Sequence, residues 1–197
     1  MENYYTKKIV IMRHAKVLIK NRKIYANELK DAIEEYDVTS IDIYIKNKNE
    51  LLNLSNSCNY FISSGLLRSV ESLALLDKKA DYIDKIFAEV ESPYTRYKFI
   101  KLSLYTWGFW FKLVWFLGYS GGSKSYKESK KEAKEASEIL IKLAKEHNSV
   151  FLLGHGIKNM LIAKALKKAG WSESTKMSSK NWGYGIYSKD NILHNVD

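Results

Sequence analysis

Three short apolar runs divide the chain, and each stops abruptly at polar or glycine residues. The runs cover residues 8–12, 60–62 and 150–153 and contain several β-branched or aromatic side chains. Runs of this length and composition are typical of buried strands. Each predicted strand is followed by a polar break at its carboxyl end, namely Arg13-His14, Ser63-Ser64-Gly65 and Gly154-His155-Gly156.

Two further segments of the chain show the spacing of a helix. Ser125 and Glu128 predict a capping box after the Gly121-Gly122 break. Apolar residues then recur at helical intervals at Ala133, Ala136, Ile139, Leu140 and Leu143. A second helical pattern after the third run ends at Gly170 and comprises Ile157, Met160, Leu161 and Ala165.

Strands that alternate with helices indicate an α/β fold with three layers, α/β/α, around a mostly parallel central sheet. The carboxyl ends of parallel strands gather at one edge, where ligand sites form in such sheets. We therefore expect the three polar breaks to meet there. The segment 183–195 predicts a closing hairpin with its turn at residues 189–191.

Residues 99–117 depart from this pattern because they are almost wholly apolar. Their bulky aromatic side chains are Tyr105, Trp107, Phe109, Trp110, Phe111, Trp115 and Phe116. The segment approaches the ~20 residues of a membrane span. However, it contains Lys101 and Lys112, and a lysine near the bilayer centre costs about 2.5–3.5 kcal/mol. We expect an aromatic insertion near 95–122, capping the site or mediating self-association, within one domain over 1–197.

The net charge and the cysteine content indicate which partners and which cellular compartment to expect. The net charge of +10, from 32 Lys and Arg against 22 Asp and Glu, favours anionic partners. Many lysines alternate with glutamates within 124–145, which is typical of a solvated helix face, so no nucleic-acid partner is expected. A single cysteine excludes an intrachain disulfide, and no secretory apolar run precedes the first strand. We expect a cytoplasmic protein.

The predicted strand ends carry the groups that phosphoryl transfer to a side chain requires. That reaction needs a nucleophile, fixed positive or N–H groups around the phosphoryl oxygens, and an acid for the leaving oxygen. His14 and His155 are two of only four histidines, and both directly follow buried strands. Arg13 adjoins His14, and Arg68 lies on the helix predicted after the second polar break.

Glu89 is the candidate acid. It follows the short apolar run 86–88. Glu91 lies two residues further on, and on a strand both side chains would point to the same face. The position of Glu89 directly after the apolar run favours it, but Glu91 stays an alternative.

Four of these segments together resemble the histidine phosphatase, or phosphoglycerate-mutase-like, superfamily. Residues 9–15 (IVIMRHA) are similar to its strand ending in Arg-His-Gly or Arg-His-Ala, and residues 63–68 (SSGLLR) to its Ser-Ser-Pro-x-x-Arg element. Residues 153–156 (LGHG) match the third element, and 87–89 (FAE) resemble the segment that bears the acid. The segments follow the family's order over residues 7–168. Gly65 replaces the usual proline and Ala15 the usual glycine.

The resemblance implies a phosphoglycerate-mutase-like fold and a phosphatase that hydrolyses a phosphomonoester through a phosphohistidine on His14. Arg13, Arg68 and His155 would bind the phosphoryl oxygens. Glu89 would protonate the leaving oxygen and then deprotonate the attacking water. The resemblance implies no metal and no organic cofactor. The substrate would be a small phosphorylated metabolite or a phosphoprotein.

Other functions stay open at this point. A catalytically weak member of the same fold would bind phosphorylated ligands without turnover. A phosphoglycerate-mutase-type phosphotransferase is less favoured, because Tyr94, Arg96 and the aromatic segment do not match the mutase pattern. Residues 99–117 also suggest a peripheral membrane protein or, if exposed, a homodimer.

Overall fold

Residues 4–192 are described by a computed structural model, and they form a mixed α/β fold. Two short 3-10 helices, Ala26–Glu28 and Lys85–Phe87, accompany the main elements. The strands are β1 (Tyr4–Arg13), β2 (Lys23–Ile24), β3 (Tyr60–Ser63), β4 (Tyr82–Ile83), β5 (Leu102–Ser103), β6 (Ser149–Gly154), β7 (Ser172–Thr175) and β8 (Tyr184–Ile192). The helices are α1 (Leu29–Val38), α2 (Lys48–Asn56), α3 (Leu67–Ala74), α4 (Leu104–Phe116), α5 (Tyr126–His147) and α6 (Gly156–Lys168).

The central sheet has six strands in the order β4-β3-β6-β1-β8-β7. The first four are parallel. β8 pairs antiparallel with β1, and β7 pairs antiparallel with β8, so β7 runs in the same direction as the first four. The mostly parallel sheet predicted from the sequence is therefore confirmed. In register, Arg13 lies opposite Gly154 and Ser63 opposite Leu153, so β1, β6 and β3 end at the same edge.

Helices cover both faces of this sheet, which gives the three predicted layers. Along β1, Ile9 and Ile11 pack into the core beneath α5 and α6. Val10 and Met12 point to the opposite face and pack into the core beneath α2 and α3. Because both faces are buried, the strand shows no alternation of polar and apolar residues.

The prediction of a hairpin over 183–195 is wrong for the part of this segment that the structure describes. β8 runs without interruption from Tyr184 to Ile192 and passes straight through the predicted turn. Its residues pair with β1, and Thr6 donates a hydrogen bond of 2.7 Å to the Asp190 carboxylate. The second arm of the predicted hairpin extends beyond residue 192, outside the described residues.

A third apolar cluster joins α1 and α4. Leu29 and Ala32 of α1 pack there with Leu104 and Phe111 of α4. α4 contains most of the aromatic segment noted in the sequence. Within residues 4–192, no helix combines the length and the apolarity needed to cross a membrane.

Candidate active site

His14 lies directly after β1 and is almost completely buried, with 2% of its surface exposed. Its backbone N–H donates to the Gly154 carbonyl (3.1 Å), and its own carbonyl accepts from the Asn181 side chain (3.0 Å). The imidazole ring lies 5.2 Å from the ring of His155 and 6.5 Å from that of Tyr36, between centroids. Backbone and neighbouring rings together fix the position of the imidazole.

The hydrogen bonding of His14 identifies its tautomer. Nδ1 lies 2.6 Å from the Ala15 carbonyl oxygen, which can only accept, so Nδ1 carries the proton. Burial lowers the pKa of His14 from 6.5 to about 3; the Ala15 hydrogen bond opposes this change, and the nearby Arg68 and Arg13 charges reinforce it. The ring is therefore neutral at physiological pH, and Nε2 has a free lone pair. An unprotonated ring nitrogen is what a nucleophile requires.

Arg68 lies in the first turn of α3 and is 3% exposed. Its Nε donates to Nδ1 of His155 (3.2 Å), and one terminal nitrogen lies 2.6 Å from the Asp37 carboxylate. The guanidinium carbon also lies 5.0 Å from the centre of the Tyr36 ring. Buried charges require partners of this kind, and α1 supplies both Asp37 and Tyr36.

His155 is completely buried at the end of β6 and contacts Arg68 through a defined tautomer. Because arginine can only donate, Nδ1 of His155 must be unprotonated. Burial, with the charge of Arg68 as the second cause, lowers the pKa of His155 well below its ordinary value, so the ring is neutral. Nε2–H then donates to the Ser64 hydroxyl at 2.7 Å. For His155 to contact a phosphoryl oxygen through Nε2–H, its hydrogen bond to the Ser64 hydroxyl must first break.

Arg13 is half-buried and fixed at one end of its guanidinium. A terminal nitrogen donates to the Ser179 carbonyl. Its Nε is buried and has no hydrogen-bond partner within the described residues. A buried donor without a partner costs about 1–3 kcal/mol. A bound anion beside Arg13 would remove that cost.

Glu89 contacts the first turn of α6. Its carboxylate accepts hydrogen bonds from the backbone N–H groups of Ile157 (3.2 Å) and Lys158 (3.0 Å). A Cβ atom built on Gly156 would lie 3.5 Å from Glu89 Oε2 and 3.4 Å from Arg13 Nε, so both side chains flank the same glycine. Glu91 is exposed. The structure thus gives the two carboxylates different surroundings.

A cavity of about 470 Å³ opens over these groups. Arg13, His14, Arg68 and Glu89 line it together with Glu91, whereas His155 lies behind them. The remaining walls come mainly from α1 and α4, including Leu29, Ala32, Ile33, Tyr36, Asp37, Leu104, Tyr105, Gly108, Phe109 and Lys112. A larger groove of about 630 Å³ between α5 and α6 contains none of the sequence-predicted site residues.

Sequence reasoning missed three polar residues that organise the site. Asp37 and Tyr36 reach Arg68 only because α1 packs beside α3, and nothing in their local sequence indicates this. Asn159 accepts from the backbone N–H of His155 (3.2 Å) and donates to the Met12 carbonyl (3.0 Å), which joins the ends of β6 and β1. The sequence indicates Asn159 only as a polar residue that lies one helical turn after His155.

The backbone conformation of Gly65 is one that the proline usual at this position of the motif could not adopt. Its φ angle is +80°, in the left-handed region that favours glycine. Proline is fixed near −65° and cannot adopt this conformation. The backbone between β3 and α3 therefore takes a different path from one with proline at this position. Arg68 is nevertheless buried at the start of α3.

Solved structures with a similar fold include several mycobacterial proteins. The open reading frame Rv3214 of Mycobacterium tuberculosis has a TM-score of 0.60 at 10% identity, covering 94% of this chain and 96% of that chain. Mycobacterial glucosyl-3-phosphoglycerate phosphatase has a TM-score of 0.57 at 12% identity, covering 93% and 90%. Mycobacterial hydrolase 2 has a TM-score of 0.59 at 15% identity, covering 95% and 83%.

No family model matches the sequence, and no curated protein matches it. At identities of 10–15% the likeness establishes the fold alone. The chain thus has the phosphoglycerate-mutase-like fold over nearly its whole length.

Proposed function

We propose that the chain is a phosphatase of the histidine phosphatase superfamily and hydrolyses a phosphomonoester through a phosphohistidine on His14. The state of the His14 imidazole carries this proposal. The ring is buried and neutral, its Nδ1 proton is held by the Ala15 carbonyl, and its other nitrogen is unprotonated beside two arginines. A cytoplasmic location belongs to the same proposal.

The first step would transfer the phosphoryl group to His14. The Nε2 lone pair attacks phosphorus while the bond from phosphorus to the alcohol oxygen breaks. Arg13 and Arg68 offset the charge on the phosphoryl oxygens, for which the planar guanidinium is well suited. Glu89 enters this step protonated and donates its proton to the departing oxygen, so the alcohol leaves neutral and Glu89 becomes the carboxylate.

The second step would release phosphate. The Glu89 carboxylate accepts a proton from water, and the resulting hydroxide attacks phosphorus. The bond from phosphorus to Nε2 breaks, and His14 returns to its neutral tautomer.

The nature of the similar structures supports a phosphatase. The similar structures of mycobacterial glucosyl-3-phosphoglycerate phosphatase include a complex with VO3, at a TM-score of 0.59, and one with inorganic phosphate, at 0.52. Both ligands are small oxyanions. A cavity lined by Arg13 and Arg68 suits an oxyanion of that size.

Trapping the covalent intermediate tests the proposal. Purified protein is mixed with para-nitrophenyl phosphate, quenched in alkali, which preserves phosphohistidine, and examined by mass spectrometry for one added phosphoryl group. We expect labelling and turnover in the wild type and neither in His14→Gln. His147→Gln is the matched control, because His147 ends α5 and stacks on Tyr60 outside the cavity.

Hydrolysis by His14→Gln at the wild-type rate would overturn the proposal. Tight binding of phosphate esters by the wild type, without turnover or labelling, would instead identify a ligand-binding member of the fold. Transfer to an added alcohol that outpaces release of phosphate would indicate a phosphotransferase.

A further inference from the structure

Helix α4 is apolar on opposite sides, but the protein covers only one of them. Leu104, Phe111 and Trp115 are buried in the core. On the outward side, Trp110 is 48% exposed and Leu117, which directly follows the helix, is 80% exposed. A helix that is apolar all round normally has apolar surroundings on all sides. Here the outer side lacks such surroundings within the described residues.

The exposed apolar surface extends beyond the helix. Tyr97 and Phe99 are 73% and 53% exposed, and Ile100 is 69% exposed. The Phe99 ring lies 6.5 Å from the Trp107 ring of α4, which places this loop beside the helix. We call residues 97–100 together with the outer side of α4 the aromatic face. Several exposed large apolar side chains gathered in one region mark a surface that contacts another apolar phase or a partner.

The charges within residues 92–127, the segment that carries the aromatic face, all have one sign. Residues 92–127 contain no Asp or Glu and six Lys or Arg, among them the exposed Lys98, Lys101 and Lys112. A two-fold contact between two copies of this face would bring these cations together without a carboxylate from the same segment to offset them. An anionic lipid surface complements both the cations and the aromatic side chains.

The dimensions of α4 fit a position parallel to the membrane. Thirteen residues make a helix about 20 Å long, shorter than the ~30 Å hydrocarbon core of a bilayer. Tryptophan and tyrosine favour the boundary between lipid and water. The stripe formed by Trp110, Leu113 and Leu117, at helical intervals of three and four, would enter that boundary.

The same helix forms a wall of the candidate active site. Its residues Tyr105, Gly108, Phe109 and Lys112 line the cavity over His14. Further walls are apolar, with Leu29, Ala32, Ile33, Leu66, Val90 and Leu104. Polar side chains such as Glu91, Ser92 and Lys112 also line the cavity, so an apolar alcohol would lie against the walls that α1 and α4 supply.

We propose that α4 docks the enzyme on an anionic membrane surface and that its substrate is a phosphomonoester whose alcohol carries an apolar chain. The substrate class rests on the proposed phosphatase function. Docking rests on the aromatic face alone. The chain would stay in contact with lipid and the walls of α4 while the phosphoryl group reaches His14.

Vesicle flotation tests docking without any catalysis. The full chain is mixed with vesicles of neutral phosphatidylcholine, or with vesicles that also contain phosphatidylglycerol. We expect binding to the anionic vesicles, and a fall of about tenfold or more in the bound-to-free ratio for the double variant Trp110→Ser, Leu117→Ser. Ile43→Ser, Tyr44→Ser is the matched control, because these residues are 78% and 71% exposed and lie outside the aromatic face.

A paired assay tests the substrate class. Hydrolysis of soluble para-nitrophenyl phosphate is compared with hydrolysis of a long-chain alkyl phosphate embedded in the anionic vesicles. Trp110→Ser, Leu117→Ser should keep the first activity and lose most of the second, since neither residue lines the cavity.

Each outcome has a distinct meaning. Vesicle binding without hydrolysis of either substrate by the wild type would refute the phosphatase and leave docking intact. Hydrolysis without vesicle binding would refute docking. A wild-type dimer that dissociates in the double variant and ignores vesicles would identify the aromatic face as a self-association surface and overturn the membrane proposal.

Discussion

Acid is expected to destabilise the fold through the neutral imidazole of His14. In the folded chain, burial holds the pKa of this ring at about 3. In the unfolded chain the ring returns to its ordinary pKa of about 6.5. Between these values the unfolded chain binds one more proton than the folded chain. The free energy of unfolding therefore falls as the pH drops below about 6.5, and the contribution is fully present only above that pH.

The size of the effect follows from the two pKa values. Between pH 7 and pH 5, one histidine with these values lowers the free energy of unfolding by about 2 kcal/mol. His155 adds a contribution of the same sign, because burial also lowers its pKa. Carboxyl groups with lowered pKa values, such as Glu132 and Glu173, lose their contribution mainly below their ordinary pKa of 4.5. The change in the free energy of unfolding between pH 7 and pH 5 therefore comes chiefly from the buried histidines.

Urea unfolding at the two pH values measures this effect. His14→Gln should show a pH dependence about 2 kcal/mol smaller than the wild type, whatever its absolute stability. If His14→Gln and the wild type lose the same free energy between pH 7 and pH 5, His14 is not a buried neutral ring in the folded protein.

Two further substitutions test the roles of individual residues. Glu89→Gln should lower kcat for para-nitrophenyl phosphate by about 10²–10⁴-fold, and Glu91→Gln should leave it near the wild-type value; the reverse order would make Glu91 the acid. Gly154→Ala should destabilise the fold by about 1–3 kcal/mol in thermal or urea unfolding, because its Cβ would lie 2.3 Å from Asn159 Oδ1. Gly156→Ala, whose Cβ would meet only ordinary contacts at 3.4–3.5 Å, is the matched control, and equal losses in both variants would contradict this reason.

The fold class could be predicted because the strongest signals were local. The three apolar runs became β1, β3 and β6, and the capping box at Ser125 begins α5 as expected. Parallel pairing then aligned the carboxyl ends of the strands. This alignment brings the polar breaks to one edge of the sheet without any further information from the sequence.

The features that could not be predicted depend on tertiary contacts. Asp37 pairs with Arg68 across two helices that are separated in the chain. Residues 189–191 have a turn-forming composition, but pairing with β1 over nine consecutive positions overrides that preference. The whole sheet sets which strand pairs with a given edge, and local propensity carries little of that information.

The attachment of β8 to β1 has a consequence for the order of synthesis. β1 leaves the ribosome long before β8, yet its edge opposite β6 pairs with this strand, the last of those described. The loop before β8 also donates to the carbonyl groups of Arg13 (3.1 Å, from Trp182) and His14 (3.0 Å, from Asn181). Such pairing closes a loop of more than one hundred residues, which is slow. A nascent chain that ends before residue 179 would therefore carry the complete nucleophile motif, but its backbone would lack the hydrogen bonds from β8 and from the loop before it.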